Sequence, residues 1–242
     1  DFSRIHMSLD KGRAFGINPK LSGTKTKTVD RILNADIYKK KEVRDNFNEL
    51  TLKFKGNYRI VFRAYNEGIA YRFESDIKGD IIVENELSEF NFLHDAKAYI
   101  PYVRDNVATL ESQFGNPFEN IYKYENISQW DTSRIAFLPL LVEGRNGKKL
   151  CILEADLLNY PGMYLYNGDG SNTLKSVFAP YPKEVEQGGY LNLQGLVKSR
   201  EPYIAKVSGV TSFPWRIMVV SENDKELADN DMVFKLATRP QG

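Results

Sequence analysis

The sequence predicts an all-β fold built as one large antiparallel domain. Three observations carry that expectation. Apolar and polar residues alternate with the period of half-buried strands. Turn signals interrupt the alternation at intervals of roughly 8 to 12 residues, the spacing of sandwiches and barrels. The aromatic content is 12%, with 14 Tyr and 14 Phe, a bias that suits strands better than helices. The chain has 242 residues, 42% of them hydrophobic, which is enough to bury a large core. No linker-like stretch divides it, so residues 1–242 are assigned to one domain.

Residues 1–47 are polar and broken by Gly12, Gly16, Pro19 and Gly23. The run Lys25-Thr26-Lys27-Thr28 reads as a solvated strand face. Residues 48–55, 58–65 and 69–74 alternate cleanly and are joined by Gly56-Asn57 and Asn66-Glu67-Gly68, which predicts a three-stranded meander. Arg63 and Arg72 fall on the face opposite its apolar stripe and are expected to pair across strands with acids such as Glu49 or Glu74. Further strands are expected at 79–86, 98–103, 121–127, 135–142, 149–154, 163–166, 203–207 and 215–220. Asn146-Gly147 is the strongest hairpin signal and joins 135–142 to 149–154. Residues 178–184 carry Pro180 and Pro182 and are expected to be an extended loop. Gly188, Gly189 and Gly195 are expected to keep the next segment irregular. Residues 223–229 offer a helical turn capped by Asn223 or Asp224. Residues 232–236 are read as a last strand.

Composition and motifs exclude more chemistry than they indicate. The 33 basic and 32 acidic residues nearly cancel, so neither nucleic acid nor an anionic membrane is implied. No apolar run approaches the roughly 18 residues of a membrane span. Cys151 is the single cysteine; it excludes an internal disulfide and reads as a small buried hydrophobe. The sequence has no phosphate loop, dinucleotide fingerprint, HExxH, CxxC or nucleophile elbow. His94 beside Asp95 has no second histidine near it and reads as a surface or packing residue. The chain opens at Asp1 without a methionine and is read as an internal fragment or a trimmed mature chain.

The stretch that offers most to chemistry is 150–165, LCILEADLLNYPGMYL. An apolar strand delivers Glu154 to its end, and a turn through Asn159, Tyr160, Pro161 and Gly162 follows, so a rigid support presents an acid beside a loop. Of Glu154 and Asp156, only one is expected to face a shared site. Asp156 reads as the cap of the following turn. Tyr160, Tyr164, Tyr181 and Trp215 are the aromatic residues suited to stacking on sugar rings, although core packing explains each as well.

Four blocks then occur in a telling order: NELTLKFKGNYRIVFRAYNEGIAYRF, LPLLVEG followed by LCILEADLLNYPGMYL, FAPYPKE, and YIAKVSGVTSFPWRIMVVSENDKELADNDMVFKLA. Together they resemble the N-terminal domain of glycoside hydrolase family 97, the α-glucosidases and α-galactosidases of polysaccharide-utilisation systems. The resemblance implies a large antiparallel β-super-sandwich, galactose-mutarotase-like in shape. It implies as partner a catalytic (β/α)₈ barrel, which carries the acid and base and is not in this sequence, and as substrate an α-linked oligosaccharide. It also implies a calcium ion held mostly by barrel glutamates, with one ligand from this domain. Glu154 is the matching residue and Asp156 the fallback. Asp156, Asn159, Tyr160, Gly162, Tyr181, Trp215 and Arg216 are then expected at the contact with barrel or substrate. A periplasmic or secreted location follows from the same likeness. This chain alone is expected to be inactive and to bind calcium weakly or not at all. A free-standing carbohydrate-binding module is the alternative, and a mutarotase-like epimerase using His6 or His94 ranks last.

Overall fold

The computed structural model of the chain describes residues 3–35, 37–103, 109–116 and 118–239. Expectations placed on residues 1, 2, 36, 104–108, 117 and 240–242 lie outside them. The first six strands are β1 (Ile5–Leu9), β2 (Ala14–Phe15), β3 (Leu21–Asn34), β4 (Glu42–Phe54), β5 (Tyr58–Tyr65) and β6 (Gly68–Asn91). β3 to β6 form an antiparallel meander. β3 is the solvated edge read from its Lys-Thr run. Gly56 and Asn57, both at positive φ, turn β4 into β5. Gly68 opens β6 where β16 (Trp215–Ser221) crosses closely: a Cβ there would lie 2.3 Å from the Met218 carbonyl oxygen.

β6 is one strand of 24 residues, where the sequence suggested separate strands at 69–74, 79–86 and beyond. Gly79, at φ 80, bends it without ending it. The first half of β6 pairs with β5 and β16. Its second half pairs with β1 and with β12 (Thr173–Phe178). It therefore belongs to both layers of the sandwich.

The remaining strands are β7 (Lys97–Ile100), β8 (Lys123–Asn126), β9 (Leu140–Glu143), β10 (Lys149–Ala155), β11 (Met163–Tyr166), β13 (Pro182–Gly188), β14 (Gln194–Arg200) and β15 (Ala205–Ser212). The main sheet runs β3-β4-β5-β6-β16-β10-β9-β7-β8. β11 and β12 extend the opposite layer from the end of β6. The main core lies between the layers and includes Phe15, Phe73, Ile81, Ile100, Leu140, Ile152, Leu165 and Leu174. A second cluster, with Phe47, Val61, Trp215, Ile217 and Val219, forms on the other face of the main sheet. Among the described residues no helix is long and apolar enough to cross a membrane.

Three expectations are corrected. Residues 232–236 form helix α2 (Met232–Leu236), after α1 (Asp224–Ala228), and not a strand. A five-residue apolar run does not reveal its period. Here Met232 and Leu236, four apart, share the face that packs on the second cluster. The strand expected at 135–142 shrinks to β9, because Pro139 has no N–H for the ladder. Ala136 keeps only isolated bridges to Tyr102 and Leu165. Residues 182–200, expected as loop and irregular chain, form the β13–β14 hairpin, a two-stranded sheet of its own. Pro182 is tolerated as its first residue. The glycines serve the hairpin: Gly189 turns it at φ 72, and Gly188 leaves room for Leu196 across the strands.

Candidate functional site: a buried carboxylate network opening on a cleft

β10 lies between β9 and β16, and its register sets Glu154 opposite Arg216. Arg216 is 1% exposed, so its charge must be met inside the protein. Glu86 on β6, also buried, meets it with both oxygens. Arg216 Nε donates to Glu86 Oε1 at 2.8 Å, and Nη2 donates to Oε2 at 2.8 Å. The remaining arm, Nη1, donates to Glu154 Oε2 at 2.7 Å. The Tyr160 hydroxyl donates to Glu86 Oε2 at 2.8 Å. The Met163 N–H is shared by both oxygens of Glu154 at 3.1 Å. β6, β10, β16 and the 156–163 loop are thus tied together by one polar cluster.

The charges do not cancel. Two carboxylates face one guanidinium, which leaves one excess negative charge, and Glu154 is the member that reaches a cleft of about 580 Å³. Burial pushes the Glu154 carboxyl above its ordinary pKa, an effect that Arg216 and the Met163 N–H offset only in part. Burial works against the Arg216 charge, but Glu86 and Glu154 hold its pKa above the usual arginine value. Burial beside Glu86 raises the Tyr160 phenol well above its ordinary range, so it stays a donor. Glu154 Oε2 is occupied by Arg216, whereas Oε1 accepts only from Met163 among the described residues. A Cβ on Gly162 would stand 3.4 Å from Oε1, so glycine keeps that side open.

The cleft brings together Glu154, Asn159, Tyr160, Gly162 and Tyr181. Asn159, at φ 53, sits on the exposed rim, and Tyr181 is 46% exposed there. Three expected contact residues lie elsewhere. Trp215 is buried at 1% exposure, with Arg63 and Arg72 at 4.7 and 4.4 Å from its ring. It stacks on arginines and has no face for a sugar. Arg216 reaches Glu154 and Glu86 and is closed off from the cleft by its own burial. Asp156 turns away at φ 63, accepts from the Thr238 N–H at 2.9 Å and lies 3.5 Å from Arg72. Residues two apart on a strand share a face. It is therefore the left-handed turn after Ala155, not strand alternation, that separates Asp156 from Glu154.

Glu86 was missed at the sequence level. A register shift between β1 and β6 near Val83 and Asn85 changes the inward phase of β6. Glu86 then falls in step with Ser88 and Phe90, all three buried. The available signal was an acid in phase with Phe90, which demands a cationic partner. Neither His6 nor His94 lines the cleft. Burial raises the Cys151 thiol to about 11, the behaviour of a packing residue.

The fold is a two-layer antiparallel sandwich, and Glu154 stands at the wall of its cleft. A sequence profile described as "Glycosyl-hydrolase 97 N-terminal" matches residues 1–239, and the chain belongs to that family. It is 46% identical over 235 residues to a retaining alpha-galactosidase of Bacteroides thetaiotaomicron. That match covers 97% of this chain and 36% of the relative, so the chain spans about a third of its length. Among solved structures it is similar to a glycoside hydrolase family 97 enzyme of Pseudoalteromonas sp. strain K8 in complex with acarbose. The TM-score is 0.76 at 18% identity, covering 100% of this chain and 33% of the other. A beta-arabinopyranosidase structure matches with TM-score 0.71 at 20% identity, covering 92% and 35%. At these identities the structures support the fold.

Proposed function

We propose that this chain is the non-catalytic N-terminal domain of a calcium-dependent exo-α-glycosidase. It packs on the catalytic (β/α)₈ barrel and lends that barrel one calcium ligand, Glu154. The observation that carries the reading is the uncompensated carboxylate. Glu86 already matches Arg216, so Glu154 brings a net negative charge and an oxygen with spare lone-pair capacity to the cleft wall. Calcium takes six to eight oxygen ligands. Among the described residues no three His, Cys, Asp or Glu side chains group to hold a metal. The donor set therefore fits a contributor to a shared site.

When bound, the ion would supply Lewis-acid polarisation of a water or a sugar hydroxyl. The work of this chain is positioning. Arg216 and the Met163 N–H fix the Glu154 carboxylate, Gly162 keeps its free oxygen accessible, and Tyr160 anchors the loop to Glu86. The 46% identical relative named a retaining alpha-galactosidase supports α-galactosides as the substrate class of the whole protein. Export to the periplasm or medium belongs to the same proposal.

The test compares residues 1–242 with the protein extended through its downstream barrel, on p-nitrophenyl α-galactoside and α-glucoside. The extended protein should cleave the galactoside in a calcium-dependent manner, and residues 1–242 should cleave neither. Hydrolysis by residues 1–242 alone would refute the non-catalytic role. Micromolar binding of maltose by that chain in calorimetry would favour a free-standing carbohydrate-binding module instead.

A further inference from the structure

Among the described residues the β13–β14 hairpin stands apart from the fourteen-stranded sheet system and pairs only with itself. Its strands of seven residues each give it a reach of about 23 Å at ~3.3 Å per residue. At its tip Tyr190 is 78% exposed, Leu191 71% and Leu193 77%. Leu191 is held in the left-handed region at φ 53, which is uncommon for a leucine. Val185 and Val197, directly opposite one another, add a half-exposed apolar pair along the ribbon. The charged residues of the arm lie away from its tip: Lys198 pairs with Glu186 at 2.8 Å, the Ser199 hydroxyl donates to Glu184, and residues 187–197 carry no charge. What the arm offers a partner is therefore its apolar tip. An isolated two-stranded ribbon is marginal in water, and its outer edges are open.

The root of the arm is firmly tied. Tyr181 N–H donates to the Tyr203 carbonyl at 2.7 Å, Glu201 N–H donates to the Tyr181 carbonyl at 2.8 Å, and Arg200 Nη1 donates to the Pro180 carbonyl at 2.7 Å. Tyr181, Pro182 and Arg200 of this root also line the Glu154 cleft. Whatever closes over the cleft must meet the root of the arm.

We infer that the β13–β14 arm is a docking clamp whose tip seats in an apolar furrow on the downstream domain of the same polypeptide. This rests on the reading of Glu154 as half of an interdomain site. The occupant follows from the continuity of arm and cleft, and from the 46% identical relative, of which this chain accounts for 36%. The uncharged tip gives a nucleic acid or an anionic membrane nothing to select.

The experiment places the photo-crosslinker p-benzoylphenylalanine at position 190 in the protein extended through its downstream domain. Mass spectrometry should find an intrachain cross-link from position 190 to a residue beyond 242. The combined Leu191→Lys and Leu193→Lys variant should lose it while keeping its melting temperature, since the tip packs on little of its own domain. A cross-link to a second copy, or none at all, overturns the clamp. The same cross-link is read in the Glu154→Gln background. A retained cross-link with unaltered calcium dependence refutes the calcium reading and leaves the clamp standing. A lost wild-type cross-link with altered calcium dependence refutes the clamp alone.

Discussion

Arg216 and Glu86 dominate the energetics at the scale of single residues. Both are buried, and each satisfies the other through a two-pronged contact. Removing one member of a buried pair strands the other charge and costs about 3–5 kcal/mol. Arg216→Met should therefore lower the unfolding free energy by about that amount in urea titrations, since it leaves both Glu86 and Glu154 without their cation. A loss under about 1 kcal/mol, the worth of a surface pair, would show that the network is solvated and not buried. From the sequence, Glu154 was legible because strand and turn signals framed it. Arg216 was legible only as a neighbour in the FPWR string, and Glu86 was hidden by the register shift on β6. Trp215 misled because a sequence shows an aromatic residue but not the two arginines that close over its ring.

At the scale of elements, the meander is laced by cross-strand ion pairs. Lys27, Glu49 and Arg63 connect β3, β4 and β5. Glu74 on β6 takes Arg59 from β5 at 2.6 Å and Arg72 from its own strand at 2.5 Å. The expected cross-strand pairing holds for Arg63 with Glu49, whereas Arg72 reaches Glu74 two residues along its own strand. Burial alone would raise the Glu74 carboxyl, but Arg72 and Arg59 outweigh it and hold it below its ordinary value of 4.5. A depressed folded-state pKa means the stabilisation is present above pH 4.5 and is lost as pH falls through the folded value. Urea midpoints of the wild type should therefore fall more steeply below pH 4.5 than those of Glu74→Gln. Parallel acid limbs in the two proteins would contradict the ladder. The strand pairs of the meander were legible because local turns join them. The β13–β14 hairpin was not, since prolines and glycines that usually break strands here serve its first position and its turn.

At the scale of the whole molecule, the sandwich acts as a frame. β6 joins its two layers, and β6, β10 and β16 converge on one guanidinium, that of Arg216. Periodicity and turn spacing revealed the fold class because they are local properties. The convergence is long-range: Glu86 and Arg216 are 130 residues apart, and no spacing rule links them. Glu154 is proposed to be lent to a calcium site completed by another domain. Calcium titration of the protein extended through its barrel, wild type against Glu154→Gln, tests it most directly, with calorimetric affinity and α-galactosidase activity followed together. Glu154→Gln should weaken calcium binding and shift the calcium dependence of activity to match, with the fold intact by circular dichroism. Unchanged calcium affinity with unchanged activity in Glu154→Gln would contradict it.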